Sequence, residues 1–327
     1  MDERPDAGDN GRPRILITGA SGFAGRHLAG HLLTSTSWEI TGLQTHVAAP
    51  LDGVRMLSCD LLDADLTKRV IAHHQPEIIF HLAAQAYVPK AVANPAGTLN
   101  TNIIAQVNLL EACRAVRIDP IIVVVSSADI YGDVPPNQSP IRETQPFRPR
   151  NPYAVSKATQ DLLGLQYALS YGMRIVRVRP FNHIGPGQNE RFVVSSLARQ
   201  IAEIEAGRAD PVLLVGNLDA QRDFLDVRDV VRAYALVAKQ DFAGDVFNVA
   251  SGVARPIQAV LDHLLCLTQV GVEVHQDPAR LRPSDIPVLL GDATKLTQAT
   301  GWQPEIAFEQ SLADTLNDWR RRIASNR

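Results

Sequence analysis

A short apolar run, Arg14-Ile15-Leu16-Ile17-Thr18, stops at Gly19 and leads into Ala20-Ser21-Gly22-Phe23-Ala24-Gly25. No other stretch constrains the fold as strongly. Glycine at 19 allows a tight turn, glycine at 22 lets backbone come close to a pyrophosphate, and glycine at 25 lets a helix pack on the strand. The next residues, Arg26 to Leu33, place apolar side chains at helical spacing. Backbone N–H groups and the dipole at such a helix start hold phosphate charge. The spacing is GxxGxxG and departs from the usual GxGxxG. Its place between a strand and a helix, opening a βα series, gives it weight.

The alternation continues. Strands are expected at Ile40–Leu43, Val54–Ser58, Ile78–His81, Ile121–Ser126 and Arg174–Val178. Helices are expected between them at Ala64–His74, Leu99–Val116 and Tyr153–Ser170. Strand and helix in turn imply an α/β fold, a Rossmann-type doubly wound parallel sheet covered on both faces. Past Arg179 the rhythm changes to a Pro- and Gly-punctuated loop. Longer irregular stretches then separate helices near Val193–Ala206, Val227–Ala238, Pro256–Thr268 and Phe308–Ile323. The expected organisation is a loose polar tail over 1–13 and a dinucleotide-binding domain over 14–180, to which segments near 225–250 return. A smaller substrate-binding lobe occupies mainly 181–327. Ligands in doubly wound folds bind beyond the carboxyl ends of the strands, so a cleft between the lobes is the expected site.

Composition removes several classes. The net charge of −3 and pI near 6.3 over 327 residues argue against nucleic acid as a partner. No apolar run has the length of a membrane span, and the first residues lack a signal-peptide core. Cys59, Cys113 and Cys266 lie far apart with no CxxC pair. That pattern suits reduced thiols in a cytoplasmic protein and offers no metal site.

The chemistry-bearing residues come in order along the chain. The Ile121–Val125 run delivers Ser126 and Ser127 at its carboxyl end. Tyr153 and Lys157, four apart, project from one face of a helix. Reduction of a carbonyl needs a proton donor beside the oxygen as hydride reaches the carbon. A neighbouring ammonium favours the phenolate and makes tyrosine a better acid, and Ser127 can hydrogen-bond the carbonyl oxygen. The second strand runs into Gln44-Thr45-His46, with no carboxylate to repel a 2′-phosphate and no arginine to bind one. NADPH is the expected cofactor, with NADH still possible.

Taken together, TGASGFAG, His81-Leu82-Ala83-Ala84-Gln85, Ser126-Ser127-Ala128-Asp129-Ile130-Tyr131-Gly132 and YxxxK resemble the extended short-chain dehydrogenase/reductase family, from Arg14 onward. The resemblance implies a catalytic Ser127, Tyr153 and Lys157. It implies cofactor contacts from Gly19, Ser21, Gly22, Phe23, Ala24, Gly25, Asp60, Leu61, Leu82, Ala83 and Ala84, with Tyr153 and Lys157. It also implies a nucleotide-sugar substrate and a homodimer built on the helices Leu99–Val116 and Tyr153–Ser170. The stretches around Asn182, Arg222 and Arg282 resemble the reductases of GDP-linked 4-keto-6-deoxymannose, which form GDP-rhamnose. By that likeness Gln85, Ser127, Asn182, Arg222 and Arg282 contact the substrate, with Arg222 and Arg282 expected in loops, where a guanidinium can fork onto diphosphate oxygens. Asp129 is a possible auxiliary group, because related dehydratases carry glutamate there. GDP-mannose 4,6-dehydratases and other nucleotide-sugar epimerases or dehydratases are the nearest alternatives. A dinucleotide-sensing protein without chemistry would commonly lack the Tyr–Lys pair. His183 receives no chemical role.

Overall fold

The computed structural model describes residues 11–45, 50–281 and 286–325. In chain order the elements are β1 (Arg14–Thr18), α1 (Phe23–Ser35), β2 (Glu39–Gln44), β3 (Arg55–Ser58), α2 (Ala64–His74), β4 (Ile78–His81), α3 (Val88–Ala93), α4 (Pro95–Leu99), α5 (Ala105–Val116), β5 (Ile121–Val125), α6 (Pro152–Tyr171) and β6 (Ile175–Pro180). There follow β7 (Asn182–Ile184), α7 (Val193–Glu205), β8 (Val212–Val215), β9 (Gln221–Asp226), α8 (Val227–Val237), β10 (Val246–Val249), β11 (Ala254–Pro256), α9 (Ile257–Cys266), β12 (Glu273–Gln276), β13 (Val288–Leu289), α10 (Thr294–Thr300) and α11 (Phe308–Ser325).

A seven-stranded sheet has the order β10-β6-β5-β4-β1-β2-β3. β1 therefore pairs with β2 on one side and β4 on the other, both parallel. Here the winding reverses, which in open α/β sheets opens a crevice at the strand ends. Apolar runs such as Ile15–Ile17 and Ile122–Val124 are buried on both faces, which is why they read as continuous and not alternating. One core cluster joins the sheet to helices α2 and α5 through Leu16, Ile71, Ile79, Leu109, Cys113 and Ile122.

Helix α6 has a well-defined start and stop. Asn151 caps it by accepting from Ala154 N at 2.8 Å, Pro152 opens its first turn, and Gly172 ends it at φ 69°. Its inner face is polar yet buried, carrying Ser156, Lys157, Gln160 and Asp161. Asp161, fully buried, accepts from Arg177 Nη1 on β6 at 2.9 Å. The helical run expected at Leu99–Val116 begins earlier, at α4. It widens into a π turn over Asn100–Ile104 before α5 continues.

The chain divides into two compact units. The first comprises residues up to Ser127 with Asn151–Val178 and Val231–Val246, and the second comprises Ala128–Arg150, Arg179–Val230 and Phe247 onward. The continuous 14–180 domain expected from the sequence is thus split, because residues 128–150 are held by later parts of the chain. Tyr131 Oη donates to Asn248 Oδ1 at 2.6 Å and accepts from Arg179 Nη1 at 2.9 Å. Ile141 N donates to Leu290 O at 2.8 Å.

Within the second unit, β9 is the centre of a four-stranded sheet with β11, β13 and β7. Strands β8 and β12 pair in parallel by themselves. Helices α7, α9 and α11 bury Leu197, Ile201, Val260, Leu264, Leu316 and Trp319 in one cluster. Among the described residues no helix is long and apolar enough to cross a membrane, and no cluster of three or more His, Cys, Asp or Glu forms a metal site.

Candidate active site

The glycine loop is built for close approach. Gly19 sits at φ +71°, and a Cβ there would lie 2.9 Å from Ala83 N. A Cβ on Gly25 would run into the Gly19 carbonyl oxygen. Helix α1 begins at Phe23 with Gly22 at its cap, no capping side chain and no acidic residue in its first turn. Backbone N–H groups and the helix dipole at such a start can hold a phosphate. At the end of β2, Gln44 Oε1 is buried and has no hydrogen-bond partner among the described residues. This acceptor suits a ribose hydroxyl and carries no charge to repel a phosphate. His46 lies outside the described residues.

Leu82, Ala83 and Ala84 follow β4, the strand next to β1, and Ala83 N donates to Thr18 Oγ1 at 3.1 Å. Asp60 is exposed, with Oδ1 accepting from Leu62 N at 3.0 Å. Leu61 is buried, and its carbonyl accepts from Asn108 Nδ2 at 2.8 Å. These residues fit a dinucleotide lying across the carboxyl ends of β1 and β4.

The end of β5 and the start of α6 are joined by two hydrogen bonds. Ser126 Oγ donates to Lys157 O at 3.1 Å, and Lys157 Nζ donates to Val125 O at 2.8 Å. The strand end that precedes Ser127 is thus tied to the helix turn that carries Tyr153 and Lys157. Ser127 is buried and Tyr153 half-buried, the latter in the helix's first turn. Burial pushes the Lys157 ammonium down from 10.5 to about 7. An amine balanced near neutrality beside a phenol can both donate and recover a proton.

Gln85 uses its amide locally. Its Nε2 donates to Tyr87 O and Thr98 Oγ1, and its Oε1 accepts from Tyr87 N at 2.7 Å. In the second unit, Asn182 begins β7 with Oδ1 buried and unpartnered among the described residues. Arg222, expected in a loop, lies on β9 opposite Arg255, and its Nη1 donates to the carbonyls of Ile286 and Gln221 at 2.6 and 2.8 Å. The loop expectation fails because this short strand takes all its partners from distant segments. Neighbouring Asp223, fully buried, accepts from Ser251 N, Ser251 Oγ, Gly252 N and Gly291 N. Desolvation raises its pKa against those bonds. Arg282 lies outside the described residues. Asp129 is half-buried in a 3₁₀ turn directly after buried Ala128. His183 Nδ1 contacts Phe181 O at 3.2 Å.

Sequence reasoning missed Asn102. It sits in the π turn, fully buried, accepting from Gln85 N at 2.8 Å and donating to Gln85 O at 3.2 Å and Ser156 Oγ at 2.8 Å. Ser156 Oγ in turn donates to Tyr153 O at 2.7 Å. Asn102 thereby connects the loop after β4 to the helix turn that carries Tyr153. A polar residue inside an apolar helical pattern was its only sequence signal.

Residues 16–315 match the family described as GDP-mannose 4,6 dehydratase. A GDP-6-deoxy-D-mannose reductase of Pseudomonas aeruginosa is 40% identical, with 95% of this chain and 98% of that one covered. A solved structure described as RMD from Pseudomonas aeruginosa complexed with NADPH superimposes with a TM-score of 0.85, at 40% identity over 95% of this chain and 99% of that one. A GDP-mannose 4,6-dehydratase of Vibrio cholerae is 28% identical over 93% of this chain and 92% of its own length.

Proposed function

We propose, because this chain belongs to the GDP-mannose 4,6-dehydratase family, that it is a nucleotide-sugar reductase of that family, converting GDP-4-keto-6-deoxy-D-mannose to GDP-D-rhamnose with NADPH. The carrying observation is the likeness itself: 40% identity to a reductase over nearly the whole chain, against 28% and 32% to two dehydratases. The turn after Ser127 supports it. Dehydration needs further acid–base groups, and here Ala128 offers only a buried methyl while Asp129 is one methylene shorter than glutamate. Displacing a catalytic group by about 1 Å is worth roughly 10²-fold in rate.

When bound, the reduced nicotinamide supplies hydride to the substrate carbonyl carbon. Ser127 hydrogen-bonds the carbonyl oxygen and steadies its growing charge. The Tyr153 hydroxyl gives that oxygen its proton. Lys157, fixed on the Val125 carbonyl, stabilises the phenolate left behind and returns a proton to it. Asn182, Arg222 and Arg282 are assigned to the nucleotide diphosphate, and Gln85 to the substrate as well. The glycine loop, Asp60, Leu61 and Leu82–Ala84 are assigned to the cofactor. A cytoplasmic location fits the separated thiols of Cys59, Cys113 and Cys266, none of which is in a disulfide.

The reading is tested with GDP-4-keto-6-deoxymannose and each nicotinamide cofactor in turn, following loss of the reduced cofactor and identifying the product. NADPH is expected to give the higher kcat/KM, since the second strand presents neutral Gln44 in place of a carboxylate. A clear preference for NADH would overturn the cofactor assignment.

The assembly assigned is a homodimer. Helix α6 exposes Val155, Leu162 and Leu169 at 40%, 53% and 76%, seven residues apart along one side. A second copy covering this stripe would bury it as a helix–helix seam. Leu162→Glu with Leu169→Glu is expected to yield a monomer by light scattering; an unchanged mass for both wild type and variant would place the interface elsewhere.

A further inference from the structure

The catalytic step sketched above leaves His81 unused. It is the last residue of β4, 1% exposed, and pairs in register with Thr18 on β1 and Val124 on β5. Its Nδ1 is 2.9 Å from Thr18 Oγ1, and its Nε2 is 3.3 Å from Gln160 Nε2 on α6. Thr18 Oγ1 also accepts from Ala83 N at 3.1 Å. Gln160 is fully buried, one turn beyond Lys157, and its carbonyl accepts from Gln106 Nε2 at 2.8 Å.

We propose that His81 is a positioning residue: one buried imidazole ties the glycine loop and the loop after β4 to the helix bearing Tyr153 and Lys157. Thr18 immediately precedes Gly19, and Ala83 is the residue that a Cβ on Gly19 would meet first. Their shared hydroxyl therefore fixes the spacing of the two loops assigned to the dinucleotide. The opposite edge of the ring meets Gln160, whose helix turn is itself anchored through Lys157 to Val125 O. Hydride transfer depends on the angle between cofactor and proton donor, and this relay sets both from one side chain. A neutral imidazole has one donor and one acceptor nitrogen, which serves a hydroxyl on one side and an amide on the other. Burial and the neighbouring Lys157 lower the His81 pKa to about 3, so the ring stays neutral through the working range. Asn102 makes a second, separate tie from Gln85 to Ser156.

The inference rests on the dinucleotide reading of the glycine loop. Thr18→Val, His81→Leu, Gln160→Leu and the Thr18→Val/His81→Leu double variant test it. The measurements are NADPH Kd, kcat and amide exchange at Ala83 in cofactor-free protein. Thr18→Val and His81→Leu are each expected to weaken NADPH about tenfold, the scale of one buried hydrogen bond. The double variant should bind no more weakly than the worse single, because both break one relay. Gln160→Leu should lower kcat with Kd unchanged. Ala83 exchange should quicken in Thr18→Val, an isosteric change that keeps the packing. Additive losses, unaltered Ala83 exchange, or full kcat in Gln160→Leu would each overturn the proposal. Wild type that fails to bind NADPH would instead overturn the cofactor reading, and Ala83 exchange in the cofactor-free variants would still decide the relay.

Discussion

Tyr153→Phe lowers kcat by at least about 10²-fold, the contribution of a positioned general acid, while NADPH affinity stays near that of wild type. The change deletes one oxygen from a half-buried side chain in the first turn of α6. The helix is capped by Asn151 and anchored through Ser126 and Lys157 by hydrogen bonds to backbone atoms, which the substitution leaves in place. The phenol proton is needed as charge builds on the substrate oxygen, so its loss falls on the transition state and leaves ground-state cofactor binding alone. Single-turnover rates together with cofactor titration separate the two. A Phe variant that retains more than about a tenth of the wild-type rate would remove Tyr153 from the role of acid.

Lys157→Met abolishes turnover and, in the cofactor-free protein, raises stability. Lys157 is 3% exposed, and burial holds its pKa at about 7 against 10.5. Between those two pH values the unfolded chain carries a proton on this residue that the folded chain does not. Stability therefore rises with pH across the window, and below about 7 the folded protein bears the full burden of a buried ammonium. Methionine keeps most of the volume and discards the charge. It leaves the Val125 carbonyl without its donor, which offsets part of the gain. The net expectation at neutral pH and below is on the order of 1–3 kcal/mol in favour of the variant, shrinking as pH climbs toward 10. Thermal unfolding of both proteins over a pH series measures it. A variant less stable than wild type at pH 6 would contradict the buried-cation account. Inactive yet sturdier is the signature of a residue kept for chemistry.

The parts legible in the sequence were those written in local pattern. The run Arg14–Thr18 and the helix Ala64–His74 have the expected bounds because a glycine ends the first and Asp63 caps the second. Tyr153 and Lys157 share a helix face because four residues make about one turn. What could not be read depended on partners far along the chain. The π turn at Asn100–Ile104 leaves the apolar periodicity intact, and Asn102 acquires meaning only through Gln85 and Ser156, 17 and 54 residues away. Strand β9 exists because β7, β11 and β13 pair with it, so Arg222 looked like a loop residue in isolation. Residues 128–150 read locally as a continuation of the first domain, but Tyr131 finds Asn248 at a separation of 117. The four hydrogen bonds onto Asp223 likewise join three segments that no local window contains.

The reductase assignment stands or falls on a paired incubation of purified protein: GDP-4-keto-6-deoxymannose with NADPH, and GDP-mannose with catalytic NADP⁺. The account predicts loss of NADPH in the first, with a product heavier than the substrate by two hydrogens. It predicts that in the second no product lighter by one water forms at a comparable rate. Rapid formation of the 4-keto-6-deoxy sugar from GDP-mannose, with the keto sugar left unreduced, would contradict it.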